Sequence, residues 1–107
     1  MKVHWTDTAQ AHLDAIRRYI AQDSVEYALR MVDRLTRRSQ VIAGFPLSGR
    51  TVPEYERDDL REVIEGPYRL IYLIRDDRVD VIAVIHGARD LRAAMEHAGW
   101  SPQQRPT

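Results

Sequence analysis

Cysteine is absent from the 107-residue chain, so no disulfide and no thiolate contributes to its fold or chemistry. That suits a reducing cytoplasm, the location expected for it. No apolar run approaches the ~20 residues that cross a bilayer. The opening MKVHWTDTAQ lacks the apolar core of a signal peptide, so no membrane association is expected. Excess charge is missing too: 16 basic against 16 acidic residues leave a formal net charge of +0. Proteins that grip nucleic-acid backbone draw much of their affinity from phosphate neutralisation and usually carry a basic surplus. Lysine is nearly absent, Lys2 standing alone. The cationic groups are therefore arginines, which make the better bidentate contacts to carboxylate and phosphate. No glycine-rich phosphate cradle and no serine-nucleophile motif occurs. His4, His12, His86 and His97 lack metal-ligand spacing. No metal and no cofactor is expected.

What remains is 44% apolar and 30% charged, the balance of one globular domain, here placed at residues 1–100. Residues 101–107 are polar and Pro-bearing and read as a flexible tail. Lys2–Thr6 reads as a short strand, with Val3 and Trp5 on one face and Thr6 as cap of the next element. Ala9, Leu13, Ile16 and Ile20 recur at helical spacing from Asp7 to about Gln22. Asp23-Ser24-Val25-Glu26 resembles a capping box. It opens a second helix to about Ala43 with the stripe Val25, Ala28, Val32, Leu35 and Ile42, interrupted by Ser39. Gly44 is its expected C-cap, and Pro46 cannot continue it. So short a break makes the two helices an antiparallel hairpin. Residues 45–59 form a loop. Strands follow at about 60–65, 68–75 and 79–86, with turns at Gly66-Pro67 and Asp76-Asp77. The last two strands are apolar on both faces: Leu70, Tyr72 and Ile74 against Ile71 and Leu73, then Val81, Ala83 and Ile85 against Ile82 and Val84. Strands of that kind are covered twice. One cover is the hairpin; the other is a short helix at 89–98, a second subunit or a partner chain. The expected fold is α+β: an N-terminal strand, an antiparallel helical hairpin packed on a mostly antiparallel four-stranded sheet, and a short C-terminal helix.

Several residues invite chemistry. Arg69 lies within an apolar strand and needs a partner or an exit to solvent; its plainer role is an ion pair with Glu62 or Asp80. His86 ends the last strand and titrates near neutrality; its plainer role is a backbone hydrogen bond at the strand-to-helix turn. Asp90 either caps the final helix or pairs with Arg50 or Arg61. Gly49-Arg50 reads as a tight turn with an arginine anchoring the loop. Arg30, Arg34 and Arg37 share one helix face, diluted by Glu26 and Asp33.

The elements Gly49-Arg50, Leu60-Arg61, Tyr68-Arg69-Leu70-Ile71-Tyr72 and His86-Gly87-Ala88-Arg89-Asp90-Leu91 together resemble the RelE/ParE superfamily of toxins from type II toxin–antitoxin modules, and the ParE branch more than the RelE branch. The resemblance covers about residues 2–93. It implies a toxin that binds and poisons DNA gyrase. It also implies a cognate antitoxin that folds along the toxin in a hetero-oligomer and touches operator DNA itself, so that the toxin meets DNA only indirectly. On this resemblance Arg50, Arg69, Tyr72, His86, Arg89 and Asp90 are the candidates for contact with target or antitoxin. The alternative it implies is a ribosome-dependent mRNA endonuclease, with Arg61 and Arg69 on the phosphate and His86 as acid or base. Against that stand the neutral charge and the lack of any tyrosine after Tyr72. A third expectation is an inactive module member that serves only antitoxin binding and autoregulation.

Overall fold

The computed structural model describes residues 1–99; the expected tail at 101–107 lies outside them. The chain runs β1 (Lys2–Trp5), α1 (Asp7–Ala21), α2 (Val25–Gly44), a single 3-10 turn (Pro46–Ser48), β2 (Arg50–Thr51), β3 (Leu60–Glu65), β4 (Tyr68–Ile74), β5 (Arg78–His86) and α3 (Leu91–His97). The sheet order is β1-β5-β4-β3-β2. Only β1 runs parallel, beside β5; the other three pairings are antiparallel. The sheet therefore has five strands rather than four. The extra one is the two-residue β2, too short for an alternation signal, where the loop's Arg50 and Thr51 pair with Glu62 and Arg61.

Local chemistry explains the helix starts. Thr6 caps α1 by accepting from the Ala9 amide, and its hydroxyl donates to the Val81 carbonyl, tying the cap to the sheet. Ser24, not Asp23, caps α2, accepting from the Tyr27 amide. Three residues on stands Tyr27 rather than Glu26, so no reciprocal capping box forms. Gly44 is the last residue of α2 and Phe45 its cap.

The α2 stripe differs from expectation at two points. Val25 is exposed, at the solvent end of the helix, and Met31 takes a core position instead. Ser39 does not interrupt the core: it is buried, accepts from the Trp5 indole N–H at 3.1 Å and donates to the Thr36 carbonyl. A hydroxyl can thus sit inside once it both donates and accepts a hydrogen bond.

Two cores flank the sheet. Under the helical hairpin lie Met31, Leu35, Ile42, Leu70, Tyr72, Val79, Val81 and Val84. On the far face lie Val52, Tyr55, Leu60, Ile71, Leu73, Ala83, Ile85, Leu91 and Met95. The second cover is thus the chain's own α3 together with the 52–55 segment, so the far face of the sheet is not an open landing surface. β5 does not alternate simply. Tyr72 pairs with Val81 and Ile71 with Ala83, leaving Ile82 as an extra residue in a bulge. Val81 therefore faces the hairpin while Ala83 and Ile85 face α3, which separates residues that plain alternation puts together.

Candidate functional site

Arg69 is the centre of a charged cluster between β3, β4 and the 52–55 segment. Its Nε donates to Glu62 at 2.5 Å, and its two terminal nitrogens clamp Glu54 at 2.8 and 2.9 Å. Glu62 is buried and shared, since Arg50 reaches its other oxygen at 2.8 Å. Two arginines thus meet two carboxylates, and every charge inside the sheet has a directional partner, the condition under which buried ions are tolerated. The Glu54 carboxylate, reinforced by Glu62, pushes the Arg69 pKa up against the opposing effect of burial. The same contact holds Glu54 below the usual carboxylate range. Of the two partners expected for Arg69, Glu62 is found. Asp80 is not, being taken by Arg75 and Arg78. Glu54 had no local signal, because fifteen residues of sequence and a loop separate it from Arg69.

Tyr72 fastens the other end of the same loop. Its hydroxyl donates to the Pro46 carbonyl at 2.7 Å and accepts from the Gly49 amide at 3.0 Å; burial raises its pKa. Gly49 has an ordinary negative φ of −79°, so its role is proximity rather than a turn. A Cβ there would lie 2.5 Å from the Tyr72 hydroxyl and 2.6 Å from the Glu62 carbonyl. Arg61 closes the arrangement with bonds to the Asp58 and Gly49 carbonyls. Arg92 of α3 stacks 5.0 Å over the Tyr55 ring and donates to the Glu54 carbonyl. Four arginines thus hold one loop and one short helix onto the sheet.

The third region lies at the end of β5. The His86 imidazole accepts from the Ala88 amide and meets the edge of Tyr68, ring centroids 5.9 Å apart. Asp90 caps α3, accepting from the Ala93 amide, and pairs with neither Arg50 nor Arg61. Arg89 is exposed and lines an open groove of about 390 Å³ with His12, Ile16, Tyr19, Tyr68 and His86. His12 is the residue that sequence reasoning passed over. Its Nδ1 accepts from the Val84 amide at 3.2 Å, and burial, then Arg89, lowers its pKa. Nothing about a lone histidine on the flank of an amphipathic helix signals such a bond in advance.

The structure does not bring Arg61, Arg69 and His86 together. Arg69 pairs with Ile85 across the ladder and so shares the α3 face; His86 pairs with Tyr68 and lies on the hairpin face. Arg61 pairs with Tyr72, which puts it about 13 Å along and about 10 Å across the sheet from His86. The face of Arg30, Arg34 and Arg37 is neutralised: these residues meet Glu26, Glu65 and Asp33 respectively.

This sheet and hairpin define a small α+β class found among toxin–antitoxin proteins. The solved chromosomal ParDE system from P. aeruginosa aligns with a TM-score of 0.67 at 22% identity, covering 80% of this chain and 95% of that one. The RelBE2 toxin–antitoxin complex from Mycobacterium tuberculosis aligns at 0.52 and 26% identity, covering 82% and 92%. The model of the ParE toxin of type II toxin-antitoxin systems matches residues 3–91. Toxin RelE2 of Caulobacter vibrioides is 38% identical over 89 residues, which cover 82% of this chain and 97% of that toxin. The chain belongs to the ParE toxin family, within the RelE/ParE superfamily of type II toxin–antitoxin modules.

Proposed function

We propose that the protein is a growth-arresting toxin that acts in the cytoplasm by clasping a macromolecule, with DNA gyrase as its target and a cognate antitoxin as its inhibitor. The observation that carries the binding mode is the fate of the candidate catalytic groups. A phosphodiester-cleaving site needs a cation and a proton carrier converging on one phosphate. Here Arg69 is locked to two carboxylates, Arg61 is spent on backbone carbonyls, and His86 faces the opposite side from Arg69. The zero net charge supports the same reading, since a ribosome-bound nuclease profits from a basic surface. Gyrase as the target rests on membership in the ParE family. Purified protein is expected to inhibit supercoiling by gyrase or to trap cleaved DNA; undisturbed supercoiling at micromolar toxin sinks the assignment.

The second reading is mRNA cleavage on the ribosome. It is favoured by the name of the relative from Caulobacter, Toxin RelE2. Transcripts cut at the ribosomal A site in a translation extract would establish it. His86→Ala separates the two: under the binding mode the variant keeps most of its toxicity, and under catalysis a folded variant loses it.

A further inference from the structure

β1 shields β5 only as far as Val81: the register ends at the Trp5–Val81 pair, and the Thr6 amide closes it on the Val81 carbonyl. Beyond that point the outer edge of β5 has no neighbouring strand among the described residues. An edge amide left bare is costly in a folded protein and invites another chain. At Val84 the amide is not bare, because the His12 imidazole from α1 accepts its hydrogen. A side chain thus occupies the position that a strand carbonyl would take. Beside it runs the groove between α1 and β5, with apolar walls from Ala15, Ile16, Val84 and Ile85. Arg89 stands at its rim, and among the described residues it has no carboxylate partner, whereas the neighbouring Arg92 is tied down. Asp90, the nearest acidic group in sequence, is committed to the α3 cap.

We propose that the 82–86 edge of β5 is a strand-addition site for an extended acidic-apolar peptide, whose backbone displaces His12 from Val84 and whose carboxylate meets Arg89. The proposal rests on the antitoxin reading for the source of that peptide: the antitoxin would supply it. The mode is backbone pairing for affinity with side-chain pockets for specificity. Charge chooses the occupant: the rim presents the Arg89 guanidinium, and its carboxylate, Asp90, is engaged in the α3 cap, so an acidic segment fits better than a basic one. The groups facing His12 are Arg89, Asp90 and His97 on one side and Tyr19, Tyr68 and His86 on the other. In the free protein His12 must stay neutral at Nδ1 to accept; once displaced beside a carboxylate it is free to take a proton. Peptide binding therefore strengthens as pH falls through the His12 transition.

The test is amide and histidine-ring NMR on the full chain, titrated with a blocked hexapeptide of alternating Val and Glu and with its Val-Lys counterpart. The Glu peptide is expected to move the Val84 and Ile85 amides and to raise the pH of the His12 titration. Arg89→Gln is expected to weaken binding by about tenfold. His12→Ala frees the Val84 amide and should bind more tightly. If that variant fails to fold, His12→Gln retains an acceptor that cannot titrate and should remove the His12 part of the pH dependence. Unmoved Val84 with the Glu peptide overturns the proposal. So does equal binding of the Lys peptide, a Val84 shift that follows protein concentration alone (a second copy on the edge), or the same shifts produced by a short single-stranded RNA. Should the product of the adjacent gene bind while Val84 stays unprotected, this site fails and the antitoxin reading stands. If no neighbouring product binds and induction arrests nothing, it is the reading that fails.

Discussion

The two faces of β4 are buried by different means. On one side a helical hairpin of α1 and α2 lays an apolar stripe, with the hydrogen-bonded Ser39 set into it, over Leu70 and Tyr72. On the other, a loop segment and the seven-residue α3 cover Ile71 and Leu73, and ion pairs finish the work. Long helices bring enough apolar area to hold themselves down, at about 25 cal/mol per Å². A short helix and a loop do not, and here they are pinned by directional bonds from Arg50, Arg61, Arg69 and Arg92. The lesson is that Arg69, inside an apolar strand, fastens a weak cover through Glu54 and Glu62.

That contrast is broken most severely at Arg69. Arg69→Ala strands Glu62 in the sheet with Arg50 alone and releases Glu54. The expected loss is about 3–5 kcal/mol, measured by urea unfolding, with the 52–55 segment and α3 opening first in hydrogen exchange. Gly49→Ala comes next. The new methyl collides with the Tyr72 hydroxyl and a β3 carbonyl, and about 1–3 kcal/mol is expected to go; Tyr72→Phe, which leaves the buried Gly49 amide without its acceptor, is expected to cost a similar ~1–3 kcal/mol. Acid sharpens the comparison without mutation. Glu54 has a lowered pKa in the folded protein, so its contribution is complete above the ordinary glutamate value of 4.5 and is lost as pH falls through the lower folded value. Amides of residues 52–55 should therefore lose protection at low pH, measured against their intrinsic exchange rates at the same pH, while those of α2 keep theirs; parallel loss on both faces would contradict it. The smallest effect belongs to the solvated helix face, where Arg37→Ala should change stability by less than about 0.5 kcal/mol.

Periodicity made most of the fold legible. The spacing of Ala9, Leu13, Ile16 and Ile20, the breaks at Asp23-Ser24 and Gly66-Pro67, and the two-sided apolar strands predict every long element within a residue or two of its observed bounds. What stayed hidden has identifiable physical causes. β2 is too short to alternate. The bulge at Ile82 inserts one residue without any Gly or Pro to mark it, so plain alternation puts Val81 with Ala83 and Ile85, and Ile82 with Val84, where the structure separates each. Glu54, His12 and Ser39 act through partners far away in sequence, at Arg69, Val84 and Trp5. Arg69–Glu62 and the Asp90 cap were legible because adjacent strands and helix starts impose short-range pairings.

Ile82 has a further meaning. Were β5 one residue shorter or longer before its end, the leg carrying His86 would rotate by half a pleat and deliver its imidazole to the other side of the molecule. Two chains that share the closing His-Gly-x-Arg-Asp can therefore offer that ring to different surroundings. A role borrowed along the alignment travels only as far as the count of residues upstream agrees.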